Sequence, residues 1–227
     1  MTLPELKPEP ALVALNVAQR LTAPLVLGSS SAFRGHVLAA YGIPYTSAKP
    51  EIDEKALGDR GPNADPNALT RLIAGAKMDA LVAAIARGDL PAVPADAVVV
   101  TCDQVVTHAG AIREKPVDAA EARRFLASYS ASAASATSGL VVRHLATGRT
   151  ATGNTTATQH FAAVPDTVLD AMVPRVMWSA GGLVVEDPAL APYLREREGT
   201  EDEIIGMPIR LLAQLLEEVG ACAPSPP

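Results

Sequence analysis

Asp103 and Gln104 stand side by side within Val98-Val99-Val100-Thr101-Cys102-Asp103-Gln104-Val105-Val106, a β-branched, apolar run that reads as a buried strand. Hydrophobic packing has no use for either side chain. An ionised carboxylate removed from water costs several kcal/mol unless a partner compensates, so Asp103 is expected to face a polar cleft, an ion or a cation. The turn Ala109-Gly110 and then Arg113-Glu114-Lys115-Pro116 follow, which makes Lys115, about a hairpin's length away, a candidate for that cation. A carboxylate in such a place could take a proton from water or hold a divalent ion. The alternative is an Asp-Gln pair that only caps the strand end.

A second chemical signal lies in Pro24-Leu25-Val26-Leu27-Gly28-Ser29-Ser30-Ser31-Ala32-Phe33-Arg34-Gly35. A short strand should end at Gly28, three serines should turn the chain, and a helix should run from about Ala32 until Gly42 stops it. Strand, small-residue turn and helix start together present free N–H groups and a positive dipole end to an anion. Serine hydroxyls add donors, and Arg34, one turn into the helix, can fork onto phosphate oxygens. No G-x-x-x-x-G-K-[ST] loop occurs, so this is not a Walker site. By itself the segment also reads as an ordinary serine N-cap.

In order along the chain stand Ser29, Ser31 and Arg34, then Asp53-Glu54, Ala76-Lys77, Asp103-Gln104-Val105, Lys115-Pro116, Ala180-Gly181-Gly182 and Gly206-Met207-Pro208. This series closely resembles the Maf, or septum-formation-inhibitor-like, nucleoside triphosphate pyrophosphatases, over about Leu25 to Gly220. The resemblance implies an elongated, two-lobed α/β fold around a mixed central sheet, with a cleft, related to inosine-triphosphate pyrophosphatase. It implies hydrolysis of a nucleoside triphosphate to the monophosphate and pyrophosphate with a divalent metal, Mg2+, Mn2+ or Co2+. By resemblance, Asp103 matches the proton acceptor, Glu54 a metal-associated carboxylate, and Arg34, Lys77 and Lys115 phosphate-binding cations, while Ser29 and Ser31 would hold the phosphate tail. Asp103 as base and Asp103 as metal ligand remain two open readings. A homodimer also follows from the resemblance, while a cytoplasmic setting is expected from the cysteine usage and the lack of a signal-peptide pattern.

The same family divides by substrate at three positions. The branch selective for thymidine and uridine triphosphates has Arg at the place of Phe33, Thr at that of Gln104 and Gln at that of Glu186. The branch selective for 7-methylguanosine triphosphate has an aromatic, Gln and Glu, as this chain does. An aromatic face attracts a cationic methylated purine, and a carboxylate accepts from a guanine N–H edge. The form Gly181-Gly182-Leu183-Val184-Val185-Glu186-Asp187 looks like that of eukaryotic relatives. Ala32 departs from the usual Pro. The alternatives are a dTTP/UTP pyrophosphatase, or a nucleotide-binding regulator of cell division with little catalysis.

Composition bounds these readings. A chain of 227 residues, 48% hydrophobic, can bury a substantial core. Its net charge of −6 argues against a nucleic-acid binder, although a few cations focused in a cleft suffice for a small anionic substrate. Two cysteines fit a reducing compartment better than a disulfide framework. The N-terminal region lacks the pattern of a signal peptide, and no apolar stretch approaches the ~20 residues of a membrane span. The four histidines share no metal-ligand spacing, and a thiol nucleophile at Cys102 would be buried in its strand.

The elements that must position these residues alternate between strand-like and helix-like, which favours an α/β class. A second strand is expected from Ile43 into the acids Asp53-Glu54. Leu69, Leu72, Ile73, Ala76, Ala80, Leu81, Ala84 and Ile85 mark a long amphipathic helix over 67–87. Lys77 lies beside that stripe and either reaches into the cleft or snorkels to solvent. Asp118 and Glu121 form a capping box for another helix. The Ser/Ala-rich 128–138 segment is expected to contain a flexible loop, followed by strands over 139–144 and 155–161 joined at Thr147-Gly148 and Gly153-Asn154. Asp166 should cap a short helix ending near Val173, and Pro208 to Val219 should form the last. The domain is expected over 24–220, with an N-terminal extension, 1–23, and a disordered tail, 221–227.

Overall fold

The computed structural model describes residues 5–90 and 93–224. Its strands are β1 (Leu25–Gly28), β2 (Thr46–Ala48), β3 (Val98–His108), β4 (Ala111–Arg113), β5 (Ala134–His144), β6 (Thr150–Phe161) and β7 (Leu194–Glu198). The α-helices are α1 (Pro10–Val13), α2 (Val17–Arg20), α3 (Ala32–Ala40), α4 (Pro66–Arg87), α5 (Ala119–Ser128), α6 (Asp166–Val176), α7 (Glu201–Ile205) and α8 (Ile209–Glu218). The seven strands form one mixed sheet in the order β2-β1-β3-β5-β6-β7, with β4 also on β3. β1 runs parallel to both β2 and β3, and every other pairing is antiparallel. This is the expected α/β class.

β3 is the axis. Both of its faces are covered, so it reads as a continuous apolar run rather than an alternation. Around its first half, Val98, Val100 and Cys102 join α3 and α8 in one core, and Val99 joins α4 in another. Around its second half, Val106 packs with Tyr129, Ala136 and Val185. Asp103 falls between these apolar bodies.

The long helix starts as its sequence dictates: the Asp65 carboxylate accepts from Asn67 N at 2.9 Å, and Pro66 occupies the first turn. Gly88, at φ 75°, ends it. Its buried row runs Leu69, Ile73, Lys77, Leu81 at intervals of four, so the lysine is carried under the helix onto the sheet. The reach into the interior prevails over snorkelling. The Asp118 carboxylate accepts from Glu121 N at 2.7 Å, one half of the expected capping box, while the Glu121 carboxylate accepts at 2.9 Å from Val117 N, one residue before the cap.

Several expectations are corrected. The second strand is only Thr46–Ala48, and the acids after it lie in a loop and a 3₁₀ turn, Glu54–Ala56. The segment expected to loop is strand from Ala134 onward. Its small side chains suit a strand crowded by α4: a Cβ on Gly139 would lie 2.7 Å from the Thr70 carbonyl carbon. Hydroxyl pairs to β6, Thr137 to Thr156 at 2.9 Å and Ser135 to Thr158 at 2.8 Å, supply what apolar bulk does not. Gly153-Asn154 is not a turn but the middle of β6. Pro165, rather than Asp166, occupies the N-cap of α6, which runs through Pro174 to Val176.

The supposed tail is packed at its start: Ala221 and Cys222 are buried, Cys222 bridges to Leu21, and Ala223 N donates to Arg20 O at 2.9 Å. Residues 225–227 lie outside the described residues. The N-terminal extension contributes Leu12 and Val17 to the core. Among the described residues no helix is long and apolar enough to cross a membrane.

Candidate active site

The site begins as a gap in the sheet. β3 is paired with β1 as far as Thr101 and with β4 only from Val106, so among the described residues 102–105 have no strand on that side. Alternation across the strand sends Asp103 toward α4 and Gln104 toward α7. At the gap, Lys77 Nζ lies 2.8 Å from Asp103 Oδ1, 3.1 Å from Glu54 Oε1 and 3.4 Å from Cys102 O. Asp103 is only 6% exposed. Burial pushes its pKa up from 3.8, against the opposing pull of Lys77 and Arg34.

The cation for Asp103 is therefore Lys77, not Lys115. Lys115 is exposed, and among the described residues no ion pair holds it. Hairpin length placed Lys115 near in sequence, whereas the i,i+4 row of α4 delivers Lys77 directly onto β3. The neighbour of Lys115 is fixed instead: Glu114 Oε1 lies 2.9 Å from Arg60 Nε, and Gly181 N donates to Glu114 O at 2.8 Å.

The serine turn forms the second part. Ser29 Oγ is buried and accepts from Ser31 N at 3.1 Å and Arg34 Nη1 at 3.0 Å. Arg34 Nε donates to Gly206 O at 3.2 Å. Ser31 is the N-cap of α3, and no side chain caps that helix start, which leaves its first N–H groups for an anion. Arg34 thus spans from the serine turn to the Gly206-Met207-Pro208 turn, and its charge reaches Asp103. Beneath it Cys102 Sγ approaches Gly206 O at 3.4 Å, and burial raises the thiol pKa. A neutral, fully buried thiol is no nucleophile.

Of the three expected specificity residues, Gln104 bonds to α7, Glu186 feels the charge of Glu201 on it, and Phe33 stands on the neighbouring α3. Gln104 Nε2 lies 3.0 Å from Ile204 O, 3.1 Å from Glu203 O and 3.2 Å from Ser138 Oγ, so its amide ties down the last carbonyls of α7. Gly206 follows at φ 104°, and a Cβ there would sit 2.8 Å from Gln104 Oε1; only glycine suits both demands. Phe33 is half-buried on α3, which packs on α7. Glu186 is half-buried and its pKa is pushed from 4.5 to about 7, by burial first and then by Glu201 of α7 and Asp187.

Sequence reasoning missed Arg60, Ser138 and the α7 carbonyls. Backbone acceptors carry no residue-type signal, and Arg60 stands among turn residues, Gly58-Asp59-Arg60-Gly61-Pro62, that mark only a surface loop. The histidines stand apart from this chemistry where the structure ties them down: His108 is engaged by Arg113, Ser128 and Ser132. Among the described residues no three His, Cys, Asp or Glu side chains converge as a metal cage.

A family model described as "Maf-like protein" matches residues 24–219. The chain is 37% identical over 198 residues to a 7-methyl-GTP pyrophosphatase of Dictyostelium discoideum, covering 86% of this chain and 97% of that protein. It is 29% identical over 201 residues to a nucleoside triphosphate pyrophosphatase of Chlamydia pneumoniae, covering 88% and 95%. A dTTP/UTP pyrophosphatase of Salinibacter ruber is 29% identical over 205 residues, covering 89% and 94%.

Proposed function

The chain belongs to the Maf-like protein family, and we propose that it hydrolyses a nucleoside triphosphate, with 7-methyl-GTP as favoured substrate, to the monophosphate and pyrophosphate. The observation that carries the reading is the buried Asp103–Lys77 pair beside the Ser29–Arg34 turn: an acid-base group next to an anion cradle, in a gap of the sheet. Phosphoanhydride hydrolysis is slow because the phosphate oxygens repel a nucleophile and charge builds on the leaving pyrophosphate.

In this reading the N–H groups at the start of α3, with Ser31 and Arg34, bind the phosphate chain, and Lys115 closes on it from the exposed side. Asp103 takes a proton from the attacking water, whose oxygen bonds to phosphorus as the α–β anhydride bond breaks and pyrophosphate leaves. A carboxylate pKa raised by burial brings Asp103 closer to neutral pH, where a base works best. Lys77 holds Asp103 in place and offsets charge.

Asp103 and Glu54 meet at one ammonium group and present hard oxygen donors. Two carboxylates with substrate phosphates suit a Mg2+ or Mn2+ ion that keeps several waters, so the residues present fit such a group, Glu54 and Asp103 being those that would hold it. When bound, it would neutralise phosphate charge.

The preference for a methylated guanine rests on Phe33, which offers an aromatic face to a cationic base, and on Glu186 as acceptor for its N–H edge. The named activity of the Dictyostelium relative, at 37% identity, supports the same choice. The test is a panel of normal and modified nucleoside triphosphates with Mg2+ or Mn2+, reading pyrophosphate and nucleotide products. Turnover of 7-methyl-GTP well above GTP, dTTP and UTP is expected; preference for dTTP or UTP defeats the substrate assignment, and no turnover of any defeats the activity.

A further inference from the structure

Glu54 sits on a single 3₁₀ turn closed by two long bonds, Ala56 N to Asp53 O and Leu57 N to Glu54 O, both 3.3 Å. So short a turn does not hold a carboxylate in place by itself. Arg60 does more. Its Nη2 donates to Glu54 O at 2.8 Å, its Nη1 donates to Leu57 O, and its Nε lies 2.9 Å from Glu114 Oε1. One guanidinium therefore clamps both ends of the turn through its Nη hydrogen bonds, while its Nε, which has no hydrogen-bond partner, meets the residue before Lys115 only as an ion pair. Glu114 is itself fixed at its carbonyl by Gly181 N.

An apolar floor beneath brings the same two segments together. Ile52 and Leu57 from the acidic loop and Ile112 from β4 pack on Leu69, Ile73 and Val105. Arg60 is the polar clasp over that floor, with 22% of its side chain exposed.

We propose that Arg60 is a positioning residue that holds the Glu54 carboxylate against Lys77 and fixes the acidic loop to the segment carrying Lys115. It touches no reacting group; its effect on the reaction runs through Glu54, and the contact with Glu114 serves to anchor the loop that carries Glu54. The inference rests on the hydrolytic reading above. A lysine does not replace it, because one point charge lacks the planar fork that reaches two carbonyls and a carboxylate together.

The test compares wild type, Arg60→Ala, Arg60→Lys, Glu54→Ala and the double variant Arg60→Ala/Glu54→Ala on the best substrate of the panel. Arg60→Ala is expected to lower kcat by about tenfold to a hundredfold, the scale on which small misplacements of active-site groups act, with KM changed less than threefold and Arg60→Lys no better. In the Glu54→Ala background the Arg60 substitution should cost less than threefold. An equal cost in both backgrounds overturns the proposal, as does a kcat within threefold of wild type. Hydrogen exchange is read on the same proteins: amides 55–57 should exchange at least several-fold faster in Arg60→Ala while α4 is unchanged, and unaltered exchange there overturns it. Should Arg60→Ala not fold, Arg60→Gln and Glu114→Gln serve in its place. A wild type without turnover sinks the hydrolytic reading alone, since exchange still reports whether Arg60 holds the turn.

Discussion

Lys77 Nζ, carried beneath α4, lies 2.8 Å from the Oδ1 of Asp103 on β3, and each side chain is nearly withdrawn from water. The pair is asymmetric. Lys77 keeps a second carboxylate, Glu54 at 3.1 Å, whereas Asp103 without Lys77 retains only the more distant charge of Arg34.

That asymmetry orders two substitutions. Lys77→Met should destabilise the protein more than Asp103→Asn, since breaking a buried pair from the cation side strands the carboxylate, at a cost of about 3–5 kcal/mol. The strandedness depends on pH. Asp103 has a folded pKa above its unfolded one, and losing Lys77 raises it further, so the stability deficit of Lys77→Met should be larger at pH 8 than at pH 5. Melting temperatures of both variants at the two pH values check this; an equal deficit at both would remove Asp103 as its source.

Activity should report the reverse order of importance for the base. Asp103→Asn keeps the shape and loses the proton acceptor, and such a loss typically lowers the rate by about 10²–10⁴. Hydrolysis within threefold of wild type would end its assignment as base or metal ligand.

Arg34→Ala should weaken hydrolysis of every triphosphate alike, because the cradle it shares with Ser29 meets the part common to all substrates. Competitive inhibition by pyrophosphate should weaken in the same variant. A loss confined to one base would move Arg34 into the base pocket.

The strand that carries the acid, the serine turn and the long helix could all be read from residue pattern, because each is dictated locally: β-branched packing, a small-residue turn, an aspartate cap with proline behind it. Lys77 was legible only in part: its place beside the stripe of Leu69, Ile73 and Leu81 could be read, whereas its turn inward depends on Asp103 of β3. What escaped was whatever depends on a neighbour remote in sequence. Ser135 and Thr137 become strand because β6 supplies hydroxyl partners. Lys115 lost Asp103 to a lysine on another element. Residues 221–223 are ordered by Arg20 and Leu21, far away along the chain.

Gln104 shows the same limit in a functional residue. Read as a base-pocket side chain, it also ties Glu203 and Ile204 carbonyls at the end of α7. Exchanging it for the threonine of the pyrimidine branch should therefore cost stability as well as change selectivity, about 1–3 kcal/mol for buried acceptors left unpaired. A triple Phe33→Arg, Gln104→Thr, Glu186→Gln variant should shift preference toward dTTP or UTP and melt several degrees lower, whereas Phe33→Arg with Glu186→Gln alone should keep most of the stability. Equal melting temperatures for the two variants would show that Gln104 does not anchor α7.

Glu186 yields a prediction in which stability and binding run in opposite directions. Its pKa is about 7 in the folded protein, against 4.5 as the ordinary value, so the folded state holds the proton more tightly than the unfolded one. Stability from this group is full below about pH 4.5 and falls as pH rises through 7, where the half-buried carboxylate ionises beside Glu201 and Asp187. Glu186→Gln removes the ionisation; the variant should be more stable than wild type at pH 8, with the gap closing by pH 4.5. Binding asks for the charge instead, since a cationic methylated base is attracted to the carboxylate and not to the acid. Wild-type KM for 7-methyl-GTP should therefore rise as pH falls below 7 more steeply than KM for GTP, and the difference should vanish in Glu186→Gln. Parallel pH profiles for the two nucleotides in the wild type would place Glu186 away from the base.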